Sequence, residues 1–355
     1  MSAQVGVLGT RVGAGSATGV WLHSREWDLT FILGSAALVA VPIALHHLAG
    51  LSTTAVNLLV AALVGGPHMY STYTLTLFER RFWQRHPVLA AGSLVVPVVV
   101  VYLAITDLTL LLTLFLGWAS FHVLQQVCFL TDCYRERAGE ESRIAQWVDY
   151  AVVLVSLYPM AVYKLVHDQF RVEGRVLQIP FFLKGEWLVW LVAFAFAASL
   201  ALWLAKTVHE ARTGRLNYPK TLLIALMVAI GFVIPFFDNL DVAFQGINTW
   251  HSFQYLALIW YVNRLRAERG EISPNLMKIL ATGEATAEQY SARRYYAFTV
   301  ALTLAAGALI WALIQTTGLS AEQCYFMVVL GSLLIHYYFD TFLFSRGGSL
   351  MRQAV

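Results

Sequence analysis

Four of the ten histidines in this 355-residue chain stand deep inside long uncharged stretches: His68, His122, His251 and His336. The next charge at a helix end follows His68 by 11 residues (Glu79), His122 by 10 (Asp132), His251 by 13 (Arg264) and, past Asp340 within the stretch, His336 by 10 (Arg346). On helices, each imidazole would sit roughly 15–20 Å from a charged helix end. Ionisable side chains at that depth in an apolar setting are costly, and they normally face a bundle interior where they pair or bind something. Neutral imidazole is the commonest metal ligand, and four of them suit iron, copper or zinc. The expected chemistry is a shared metal centre. A proton or ion path and four unrelated structural hydrogen bonds are the alternatives. The other histidines fall in loops or near stretch ends: His23, His86, His167 and His209 at solvated positions, and His46 and His47 at the outer interface.

Polar residues gather around these four. Gly65-Gly66-Pro67 precedes His68, where proline removes a backbone donor and kinks a helix, and Tyr70, Ser71, Thr72 and Tyr73 follow. Gln125 and Gln126 stand three and four residues after His122, on its helix face. Gln254 and Asn248 stand one turn either side of His251, and Asp340 four residues after His336. Asp340 is placed to ligate or to orient a ring. Asp340, Tyr255 and Gln125 are the candidate catalytic residues, and Tyr70 and Gln254 the candidate substrate contacts.

The elements that must position these residues follow from composition. The chain is 58% hydrophobic and 13% charged, about half the charge of a soluble domain, which excludes a soluble enzyme or a nucleic-acid binder. Three cysteines without a CxxC pair exclude a disulfide framework and read as small core residues. Uncharged runs between charge clusters predict an all-α, polytopic membrane bundle of ten spans: 29–48, 52–78, 88–106, 108–131, 146–163, 187–205, 220–237, 242–262, 295–315 and 322–344. Residues 1–28 and 345–355 read as cytoplasmic tails around one transmembrane domain, 29–344. With both termini in the cytoplasm, 20 of the 24 Lys and Arg residues fall inside and 4 outside, as cytoplasmic loops require. Those four lie in loop 164–186, read as a solvated loop or one resting on the membrane. Spans two, four, eight and ten then run the same way, with one histidine each at a common depth. Spacing sets this depth but not the direction in which each ring points.

Histidine series of di-iron desaturases, HExxH zinc sites, Walker A loops, dinucleotide fingerprints and serine elbows are all absent. Gly66-Pro67-His68, Ser120-Phe121-His122 and Trp250-His251-Ser252, in that order, resemble motifs of the Brp/Blh family. These are membrane β-carotene 15,15′-dioxygenases that hold non-haem iron with histidines on transmembrane helices. The resemblance covers three short patches and implies that His68, His122 and His251 bind iron. Where the family has a second histidine one turn after the third motif, this chain has Tyr255; His336 would supply a fourth ligand from another helix, and the spans outnumber the family's.

The expected function is a metal-dependent oxygenase or related redox enzyme, using Fe(II) and dioxygen on a lipophilic substrate such as an isoprenoid, carotenoid or lipid. Its expected location is a bacterial inner (plasma) membrane. A haem-b or quinone-linked redox protein and a proton-coupled transporter are the alternative classes, and no nucleic-acid partner is expected.

Overall fold

The computed structural model describes residues 20–283 and 289–345. The first nineteen residues and the C-terminal tail with Arg346 and Arg352 lie outside the described residues. Among the described residues, eight helices are long and apolar enough to cross a membrane. They are α1 (Arg25–His47), α3 (Pro87–Thr106), α4 (Leu108–Arg137), α5 (Arg143–Val166), α6 (Glu186–Arg212), α7 (Tyr218–Phe236), α9 (Ala292–Thr316) and α10 (Ala321–Leu343). The two other expected spans are also helical. α2 (53–74) is continuous through α, π and 3-10 turns, and α8 is Leu240–Glu268. Both carry too many polar side chains to read as apolar: Asn57 and His68 on one, Gln245, Asn248, His251 and Gln254 on the other. Each packs its polar positions inwards, and α8 is buried along most of its length.

The expected loop 164–186 contains the only paired strands among the described residues, β1 (Arg171–Val172) and β2 (Arg175–Val176). Beyond them, Phe181 and Phe182 are exposed side by side. Cys128, Cys133 and Cys324 are buried and free.

Between apolar helices in a bilayer, polar contacts and close packing replace the hydrophobic drive to associate, and the helix ends here are stapled accordingly. Glu79, just past α2, is buried and accepts from the backbone N–H of Ser273 at 3.0 Å and from Arg266 Nη2 of α8 at 3.3 Å. Asn263 of α8 donates to Thr74 at 2.7 Å. Glu79 and Asn263 are polar groups at helix ends, yet they are buried because Arg266 and the 271–273 turn cover them. This clasp fixes the helix carrying His68 against the helix carrying His251. Elsewhere, the fully buried Lys220 of α7 pairs with Glu140 at 2.6 Å and Asp149 at 3.4 Å. Asp28 accepts from Tyr134 of α4 at 2.9 Å and from the backbone of Leu22 at 2.8 Å, drawing the chain before α1 onto the bundle.

Pro67 shapes the middle of α2. It has no N–H to offer the Leu63 carbonyl one turn back, and the ladder widens to π geometry over Ala61–Gly65. An unpartnered carbonyl would be costly in hydrocarbon; the Tyr296 hydroxyl of α9 donates to it at 2.6 Å. One residue before the proline, Gly66 lets α9 approach. A Cβ there would lie 2.4 Å from Thr303 Cγ2 and 2.7 Å from the Ala61 carbonyl oxygen.

Gly66→Ala is therefore expected to destabilise the fold by about 1–3 kcal/mol, the usual cost of overpacking, read as a lower thermal midpoint in detergent. Gly307→Ala on α9, whose Cβ meets nothing within 4 Å, should not lower the midpoint. Equal midpoints would contradict the α2–α9 contact.

Candidate metal centre

His68 on α2, His122 on α4, His251 on α8 and His336 on α10 converge, and all four are buried. One ligand atom from each lies within 4.8 Å of the others. His122 Nε2 and His251 Nε2 are 3.1 Å apart. The ring of His68 sits 4.8 Å from that of His251 and 4.4 Å from that of His336, centroid to centroid. His122 and His336 are 4.8 Å apart by the same measure.

The hydrogen bonds fix the rings from behind. His68 bonds to the backbone of Gly65, leaving Nε2 without a partner. His336 Nδ1 meets Thr72 Oγ1 at 2.5 Å, leaving its Nε2 equally bare. Thr72 Oγ1 lies 2.6 Å from the Tyr255 hydroxyl and 3.2 Å from Asp340 Oδ1. Tyr255 in turn donates to Asp340 Oδ1 at 2.6 Å. Each hydroxyl has one proton, so with Asp340 ionised one direction satisfies the three close contacts: His336 Nδ1–H to Thr72, Thr72 to Tyr255, Tyr255 to the Asp340 carboxylate. That direction leaves the His336 Nε2 lone pair facing the other histidines.

His122 Nδ1, His251 Nδ1 and Asp340 Oδ2 also lack partners, and Asp340 Oδ2 is 3.9 Å from His122 Nε2. Buried polar atoms in folded proteins are nearly always paired. Bare imidazole nitrogens where four histidines each bring a ligand atom within 4.8 Å of the others are therefore what a cation would satisfy. The donor set fits one: nitrogens bound to a single ion at about 2.0–2.1 Å stand close to the spacing of the His122–His251 pair. The four histidines are close enough to hold a metal ion.

Among the other residues expected at the site, Tyr255 and Asp340 lie in the row behind His336. Gln254 donates to the Ile32 carbonyl and accepts from Gln126 at 3.2 Å. Gln126 also donates to the His251 backbone carbonyl at 3.3 Å, so it bridges α4 and α8. Gln125, one residue earlier, is half-buried with Oε1 unpartnered. Tyr70 donates to Ser332 at 3.4 Å and lines a cavity.

Two residues given no role from sequence belong to the site. Thr72 is the hub of the polar row, and its i+4 spacing from His68 was the available signal. Tyr337 stacks on His122, centroids 4.3 Å apart; no spacing rule relates those two helices.

The cavity, about 740 Å³, has His68 and His251 in its wall, with His122 and His336 behind them. The rest of the wall is largely apolar and aromatic, including Leu112, Phe115, Phe244 and Phe326. No family model, curated protein or solved structure matches this chain.

Thr72→Val removes the acceptor of His336 Nδ1–H and the link to Tyr255, and loss of such a supporting hydrogen bond typically weakens metal affinity by about 10–100-fold. Thr72→Ser should restore it. Metal retention against a graded chelator, read beside the thermal midpoint, checks this; equal retention by Val and Ser variants would contradict the row.

Proposed function

We propose that the chain is an integral membrane metalloenzyme in which His68, His122, His251 and His336 hold Fe(II), and that it is an oxygenase acting on a lipophilic molecule. The observation that carries this reading is the convergence of unpartnered imidazole nitrogens beside an apolar cavity. Histidine-bound iron with open positions supplies dioxygen activation when bound. The chain's own residues do the rest. Thr72 and Tyr255 hold His336 from behind, and Asp340 ends that row, where its carboxylate would offset the charge of a bound cation. Phe115, Phe244 and Phe326 keep water from the cavity, and His68 and His251 stand where a substrate would meet the metal.

A bare ion suits the cluster better than haem. Paired axial ligands need a flat macrocycle between them, and rings 4.4–4.9 Å apart in crossed orientations leave no such slot. We further infer ten spans with both termini in the cytoplasm, α2 and α8 crossing as the polar inner pair, in a bacterial inner membrane. The lysine and arginine bias supports that orientation.

Protein purified from iron-supplied cells should contain about one iron per chain, with no Soret band; His251→Ala, which removes one of four imidazole ligands, should lose most of it. Wild-type protein without stoichiometric transition metal would refute the metal centre, and a Soret band would replace it with haem. A reporter fused to the C-terminus that works only in the cytoplasm should be active; inactivity in a folded fusion would overturn the orientation.

A further inference from the structure

We propose that the cavity is filled sideways, from the bilayer, by one long hydrocarbon chain passing between α2 and α9. This rests on reading the chain as membrane-embedded, and it names the route and ligand class for the cavity beside the histidines. α9 packs on the Gly66–Ser71 turn of α2, where the Tyr296–Leu63 hydrogen bond and the Gly66–Thr303 contact close the crossing. Towards the hairpin end the helices part. Leu58 and Ala62 of α2, with Leu304 and Gly307 of α9, line the cavity and are exposed. Leu58 is 56% and Leu304 65% exposed. The four residues frame an opening that is apolar on both faces, on a helix long and apolar enough to face lipid.

The hairpin end is closed by comparison. Phe170, Val172 and Leu177 are buried and roof the cavity. Three polar ties hold that roof: Glu173 N–H to Asp241 at 3.3 Å, Asn57 to Glu173 at 3.2 Å, and Arg175 to Glu322 at 2.9 Å. A water-soluble ligand would have to break these ties, whereas a hydrocarbon chain crossing between Leu58 and Leu304 meets no polar group. Glu173 and Asp241 also line the cavity at that end, and their charges repel a carboxylate head group. The ligand class is therefore a long-chain alcohol or similarly uncharged amphiphile.

The test uses full-length protein in phosphatidylcholine nanodiscs, washed with chelator, and hexadecanol carrying a diazirine and an alkyne. Cross-links should appear on cavity-lining peptides of α4 and α8, around Leu112–Ser120 and Phe244–Asn248, and excess hexadecanol should compete them away. Gly307→Trp and Ala62→Trp plug the opening from opposite sides, and each should lower that interior labelling about tenfold. Leu202→Trp, on the exposed face of α6, should leave it unchanged, and all three should keep the wild-type thermal midpoint. Interior labelling undiminished in both plugged variants would overturn the route. Labelling confined to outward-facing positions would overturn the ligand site. Metal is absent throughout, so chain binding without metal loading in a parallel sample would refute the metalloenzyme reading alone, and metal loading without chain binding would refute this one alone.

Discussion

The structure depends on the cost of leaving a polar group unpaired inside apolar surroundings. In water an orphaned imidazole nitrogen or carbonyl finds a solvent partner; among these helices it finds protein, a ligand or nothing. The polar residues of α2 and α8 are consequently collected at the centre of the bundle, and the apolar helices form its outside. The same constraint explains the clasp of Glu79, Arg266 and Asn263, and the Tyr296 hydroxyl that answers the carbonyl freed by Pro67.

At the histidine cluster this pairing stops short on several ligand-type atoms together. His336 is anchored through Thr72 and Tyr255 to Asp340, and His68 to its own backbone, yet each keeps a bare nitrogen towards the centre. An arrangement that orients two of the rings and leaves their Nε2 lone pairs unanswered is costly without a cation and stabilising with one. It is also two-sided. The polar row lies behind His336, while the cavity reaches His68 and His251, so the groups that orient the ligands are separated from the groups that would face a substrate.

Gly66 and Pro67 connect packing with access. The proline opens the ladder of α2, the glycine admits α9 at the same level, and the two helices separate from that crossing towards the hairpin. Their contact thus fixes the position of His68 and leaves a gap above it. The gap follows from how tightly the helices meet at one point.

Much was legible in the sequence. Charge clusters located each helix end to within seven residues, because charged side chains are costly in the hydrocarbon layer, and the distance from those clusters placed four histidines at one depth. Depth is a one-dimensional quantity, fixed by rise per residue. Direction around the helix axis is not, because it depends on how α2, α4, α8 and α10 rotate against one another. Only tertiary packing therefore brought the rings together, chose Gln126 over its neighbour Gln125 as the α4–α8 bridge, set Tyr337 on His122 and made Thr72 the hub. Glu79 and Asn263 were hidden for the same reason: burial at a helix end is decided by what another segment lays over it, and no local pattern records that.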